Sequence, residues 1–206
     1  MSLLQSLFPG IEKTIGNGIP NWEDPETPWS ILSDGEFGLK SQIAGFADSE
    51  EGVYIHPSAI IGEFVRIEGP CYIGAKAEIR HAAFLRKGSW ICDGAVVGHS
   101  TEVKNSILLP NSKAPHFNYV GDSIIGMDAN IGAGVKLANV RNDNRSVMIT
   151  RNDGTREDSG LSKLGALIGD RSKLGCNVVT NPGTIIPPDS MISPNNTVSG
   201  WMETRF

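Results

Sequence analysis

With 206 residues and 22.1 kDa, 39% of them apolar, the chain can bury one full core, and at roughly 150 residues per domain it is too short for a multidomain enzyme. A formal charge of −5, from 18 basic and 23 acidic residues spread along the chain, leaves no basic cluster to neutralise a phosphate backbone and excludes nucleic acid as the expected partner. Cys71, Cys92 and Cys176 show no CxxC spacing, so neither a disulfide framework nor a zinc knuckle is expected, and the odd count fits a reducing, cytoplasmic setting.

No apolar run approaches the 18 or so residues of a membrane helix, and the opening MSLLQSLFPG has no basic stretch or small-residue cleavage site, so a soluble, unprocessed protein is expected. Residues 1–46 carry no repeat. They contain Trp22 and Trp29, and Asp24-Pro25-Glu26-Thr27-Pro28 opens a short helix through Leu32 with proline in its first turn. Two readings stay open for this segment: an apolar cap laid across the first turn of the domain that follows, or a linker tail.

From residue 47 onward the pattern changes. Ile55, Ile61, Ile67, Ile73, Ile79, Leu85, Ile91, Val97, Val103 and Leu109 are ten aliphatic residues at a spacing of six, which neither a helix nor an alternating strand produces. Four positions after each of the first eight comes a small or short side chain, as at Ala59, Ala77, Ala83 and Ala95. Each unit reads as a short flat strand and a tight corner, and three units make a triangular turn of 18 residues whose aliphatic side chains stack inward at about 4.8 Å. The fold class is all-β, a parallel β-helix of hexapeptide repeats over 47–206. The phase resumes at Ile125, Ile131 and Leu137 and again from Ile168, so loops are expected at 110–124 and, as a larger insertion, at 139–163, where Asn152-Asp153-Gly154 signals a hairpin turn.

Residues 18 apart share a position on adjacent turns. That places Arg86 under Lys104, a two-rung cationic ladder suited to a phosphorylated ligand, although solvated surface cations are the commoner reading. It also stacks His81 under His99. None of His56, His81, His99 and His116 forms an H-x3-H or H-x4-H pair, so no metal site is expected. His116 differs in standing where the repeat breaks, within Ser112-Lys113-Ala114-Pro115-His116-Phe117-Asn118-Tyr119, and a loop imidazole can act as general base at neutral pH.

The segments EVKNS (102–106), SKAPHFNYVGDSIIG (112–126) and NIGAG (130–134) resemble the acetyltransferase domain of the bacterial bifunctional N-acetylglucosamine-1-phosphate uridyltransferase/glucosamine-1-phosphate acetyltransferase. DSGLSKLGALIGD (158–170) and NPGTII (181–186) are closer to C-terminal domains of archaeal-type sugar-phosphate nucleotidyltransferases. The resemblance covers about residues 50–199 and implies a left-handed β-helix. It implies phosphate binding by Arg86 and Lys104, His116 as general base, sugar contacts from Tyr119, Asn130 and Arg145, and acetyl-CoA contacts from Ala133, Asn139 and Cys176. The implied reaction is N-acetylation of an amino-sugar 1-phosphate or a related nucleotide sugar by acetyl-CoA, in nucleotide-sugar biosynthesis, at sites between the subunits of a homotrimer.

The chain also departs from that pattern. Val140 stands where the family has a tyrosine near the coenzyme, Cys176 replaces a serine, and Phe206 comes before the family's C-terminal coenzyme-binding arginine. No G-x-G-T-R-type pyrophosphorylase signature is present, so no uridylyltransferase domain is expected in this chain. The alternative is a non-catalytic trimeric β-helix that binds or regulates a separate sugar-phosphate nucleotidyltransferase.

Overall fold

The computed structural model describes residues 1–11, 18–46 and 52–202. The boundary expected between 46 and 47 abuts residues outside that description, and residues 203–206 also lie outside it. From Val53 onward the chain winds as a left-handed parallel β-helix. Among the described residues, three parallel sheets of seven strands form its faces. One turn shows the pattern: Cys71–Ile73 lies on the first face, Glu78–Ile79 on the second and Phe84–Leu85 on the third. Val53 pairs with Cys71, and Cys71 with Ser89, eighteen residues apart each time.

The interior follows the six-residue phase. Ile73, Ile79, Leu85, Ile91, Val97 and Val103 are buried in one cluster, with the small Cys71, Ala77, Ala83 and Ala95 filling the corners between them. Each buried aliphatic side chain contributes about 1.5–3 kcal/mol. The corners turn through residues of positive φ, a region disfavoured for all but glycine and, less strongly, Asn and Asp. One corner column runs Phe64, Ala82, Ser100, Phe117, Gly134, Asn177 and Asn195.

Two expectations need correction. Residues 110–124 are not a loop. The winding continues through them, with Lys113–His116 on the second face and Tyr119–Gly121 on the third. The phase is lost there because single residues are dropped: the inward positions are Leu108, Ala114, Val120 and Ile125, and Ile107 pairs with Ile124 over seventeen residues. Leu109 therefore lies outside the prism interior, in a second apolar cluster.

The insertion is real. Ile125 pairs with Ile168, forty-three residues on, and the intervening chain carries an antiparallel hairpin of Met148–Thr150 and Arg156–Asp158 around the expected Asn-Asp-Gly turn.

Among its described residues the N-terminal segment contains two short α-helices, α1 (Leu3–Leu7) and α2 (Leu39–Ala44), and between them a 3-10 turn at Pro28–Leu32, where the proline signal pointed. This segment lies along the first face, not across the first turn, whose Ile55, Ile60, Ile61 and Phe64 stay exposed. Leu7, Phe8, Trp29, Ile31, Leu32, Leu39 and Ile43 are buried against Tyr72, Trp90, Ile107, Ile124, Leu167 and Ile185 of that face. Polar ties lock the contact. Trp90 Nε1 donates to Gly18 O at 2.7 Å, and the buried Asp170 carboxylate accepts from the N–H groups of Gly10 and Met127, both at 2.8 Å. The insertion closes over the segment: Trp29 Nε1 donates to Ser159 O at 3.2 Å, and the Arg151 guanidinium lies 5.2 Å from the Trp29 ring centre. No helix among the described residues is long and apolar enough to cross a membrane.

Candidate functional site

Among the described residues no segment covers the third face, and most of the candidate residues stand on it or at its two corners. At the corner shared with the second face, His81, His99 and His116 occupy successive rungs. His81 and His99 stack with ring centres 5.4 Å apart, and His99 pairs in register with His116. His116 closes a strand rather than sitting in a loop. Its N–H donates to Asn118 Oδ1 at 3.1 Å, and the Asn118 amide in turn donates to Gly132 O at 2.6 Å. The side chain is exposed.

The same column continues upward through Ala133 and Cys176. Gly134 N donates to His116 O, and Asn177 N donates to Ala133 O, so one winding separates His116 from Ala133 and another separates Ala133 from the exposed Cys176. The resemblance assigned one base and two coenzyme contacts to these three positions. The winding brings them onto one edge of the prism.

At the opposite edge, between the third and first faces, Arg86 and Lys104 are on adjacent rungs as the spacing predicted. Neither is a free cation. Arg86 Nη1 meets Glu102 Oε1 at 2.8 Å, and this hydrogen bond holds the guanidinium further above its ordinary pKa. Lys104 Nζ meets Asp122 Oδ2 at 2.9 Å, with the aspartate almost fully buried. Asp122 also accepts from Asn105 Nδ2 at 3.0 Å and from the Asn139 amide, which in turn lies 3.3 Å from the Tyr119 hydroxyl. Asn105 and Asp122 both occupy positive-φ corner positions, with φ of 44° and 47°, which Asn and Asp tolerate better than other side chains. The corner turn thus aims a carboxylate at Lys104.

Tyr119 stands half-buried between the two edges, and burial pushes its phenol pKa up. It therefore stays a neutral donor and acceptor at neutral pH.

Not every assigned residue joins this arrangement within one chain. Asn130 pairs with Lys113 on the second face, beyond the histidine corner. Arg145 is exposed in the insertion, its N–H on Asp143 Oδ1 at 3.2 Å. Asn139 is buried by its bonds to Asp122 and Tyr119, so within this chain it orders the third face. Val140 is 42% exposed beside it.

Sequence reasoning missed Asp122, Glu102 and Asn105. Asp122 stands eighteen residues beyond Lys104, next to Gly121, which the shortened turn sets against Lys104 in register, so the spacing brings that partner within reach. Phe117 was missed as well: it is adjacent to His116, 56% exposed, and held at φ 36°. A bulky residue in that region stores about 1–2 kcal/mol of strain.

The family described as the GMPPB C-terminal domain matches residues 67–199. A bifunctional sugar-1-phosphate nucleotidylyltransferase/acetyltransferase of Sulfurisphaera tokodaii is 37% identical over 86% of this chain and 46% of its own length. A bifunctional protein GlmU of Methanococcus vannielii is 38% identical over 84% of this chain and 43% of its own. The chain thus spans about half the length of these relatives. It spans 81% of the putative uncharacterized acetyltransferase YaiX of Escherichia coli, at 36% identity over 85% of this chain. On that evidence the chain belongs to the GMPPB C-terminal domain family.

Proposed function

We propose that this chain transfers an acetyl group from acetyl-CoA to the amine of an amino-sugar 1-phosphate. One observation carries the reading: the uncovered third face is bounded by an imidazole edge and a cationic edge, with Tyr119 between them. Arg86 and Lys104 grip the phosphate, and Tyr119 meets the sugar ring. The amine then lies toward His116, three residues from Tyr119 along the chain.

The nitrogen lone pair attacks the thioester carbonyl carbon, and the C–S bond breaks as the tetrahedral oxyanion collapses. His116 takes the proton released from the amine and returns it to the departing sulfur, so the proton count closes. Backbone N–H groups at the Ala133 turn stabilise the oxyanion. The ion pairs at Arg86 and Lys104 set both cations in place before substrate arrives, which lowers the ordering needed on binding.

Asn130 and Arg145 enter the site from a neighbouring protomer in a homotrimer. The second face, on which Asn130 stands, then packs toward the third face of the next chain. Light scattering should report about three times 22.1 kDa.

The decisive assay follows thiol release from acetyl-CoA with glucosamine 1-phosphate and, in parallel, with glucose 1-phosphate, which has no amine. Release with the first sugar alone is expected. Release with both or with neither contradicts amine acetylation.

A further inference from the structure

The cationic edge is not an open ledge. The N-terminal segment reaches it through Leu32 and Ser33, tied by Asn105 Nδ2 donating to Leu32 O at 2.8 Å. The insertion leaves and rejoins the β-helix at the same edge, where Leu164 N donates to Asn139 O and Gly165 N to Asp122 O. Between these two additions and the prism lies a cavity of about 560 Å³. Its cations are Arg86, Lys87 and Lys104 from the prism, Lys40 from α2 and Lys163 from the insertion. Its carboxylates are Asp34, Glu68 and Asp122. In a chain of net charge −5, this one cavity holds two more positive than negative side chains.

The carboxylates do not consume all the cations. Lys104 is committed to Asp122 and Lys40 to Asp34 at 2.6 Å, whereas Lys87 and Lys163 have no ion-pair partner among the described residues. Lys163 is carried on the return limb of the insertion and Lys40 on the flank segment, so neither belongs to the hexapeptide scaffold.

We infer that Lys163, supported by Lys40 and Lys87, is a substrate-binding residue. Together they enclose the phosphorylated end of the acceptor in a pocket built within one chain. The inference rests on the phosphate reading of Arg86 and Lys104, and it gives the N-terminal segment and the insertion a role in recognition as well as in stability. The ligand chemistry is a phosphate group bearing about two negative charges at neutral pH. That charge matches the pocket's excess, and a lysine ammonium meets phosphate oxygens as a point charge without a fixed fork.

Two sources present this chemistry, a terminal phosphate monoester and the diphosphate of a nucleotide sugar. Calorimetric titration of the full chain with inorganic phosphate, pyrophosphate, glucosamine 1-phosphate and free CoA, on wild type, Lys163→Gln, Lys40→Gln and Arg86→Gln, separates them. Lys163→Gln is expected to weaken the phosphorylated ligands about tenfold and to leave CoA unchanged, with Lys40→Gln acting in the same direction but more weakly. Tighter binding of pyrophosphate than of glucosamine 1-phosphate assigns the pocket to a diphosphate, and the reverse order assigns it to a monoester. Hydrogen exchange over residues 32–40 and 161–163 should slow when the ligand binds. If Arg86→Gln weakens binding and Lys163→Gln does not, the inference fails while the phosphate reading stands. If neither variant changes binding, both fail. An affinity loss in Lys163→Gln that extends equally to CoA also overturns the role, since it signals a disturbed fold.

Discussion

The first and third faces of the prism share one backbone design and differ in the residue just before each inward side chain. On the first face these outward positions read Tyr54, Tyr72, Trp90, Ile107, Ile124, Leu167 and Ile185; on the third they read Arg66, Phe84, Glu102, Tyr119, Lys136, Val179 and Thr197. The first face is sealed by the N-terminal segment and the insertion hairpin. The third is left bare. A repeat that fixes the interior says nothing about the exterior, and the outward register decides which face becomes a structural joint and which can meet a substrate.

The contrast breaks most visibly at Trp90. Its ring stacks on Tyr72 at 4.6 Å and is buried under the flank segment, so Trp90→Ala should lower unfolding free energy by about 3–5 kcal/mol. Lys136→Ala, on the exposed third face, should change it by less than about 0.5 kcal/mol. Denaturant midpoints read both, and similar losses would mean that the two faces are not different in kind.

Function should divide the other way. On the proposed function, in which Arg86 grips one substrate only, Arg86→Ala should raise KM for the phosphorylated acceptor about 10- to 100-fold with KM for acetyl-CoA nearly unchanged. An equal rise for both substrates would remove Arg86 from the phosphate.

A smaller effect belongs to the corner beside His116. Phe117→Gly relieves a strained φ and should raise stability by up to about 1 kcal/mol while lowering turnover. If stability falls instead, the ring is a packing residue.

The smallest expected effect concerns the flank. Burial lifts the Asp170 carboxyl above its ordinary value of 3.8, against the pull of the Gly10 and Met127 N–H groups. A raised folded-state pKa means the folded chain holds this proton more tightly than the unfolded chain. Its contribution is therefore full below 3.8 and declines as pH rises through the folded value. Asp170→Asn should flatten that decline in a series of unfolding midpoints; an unchanged slope would assign it to other groups.

Much of this was legible in the residues. Ile55 through Val103 announced the winding, the eighteen-residue rule set Arg86 beneath Lys104 and His81 beneath His99, and Asn152-Asp153-Gly154 marked the hairpin turn. Dropping single residues before Leu108 and Ile125 shifted the phase, so a regular stretch read as a loop and Leu109 took Leu108's place. The direction in which the described N-terminal residues pack was written in the outward register at Tyr72, Trp90 and Ile107, a pattern visible only once the turn length is known. The enclosure at Lys40 and Lys163 was not legible, since it depends on two segments outside the repeat converging on one edge.

On the proposed function, the imidazole edge performs acetyl transfer while contributing little to the fold. The most direct test compares thiol release from acetyl-CoA and glucosamine 1-phosphate by wild type and His116→Ala at matched concentration, with unfolding midpoints measured on the same samples. A rate at least about 100-fold lower with an unshifted midpoint is predicted. Equal rates in the two proteins would contradict the account.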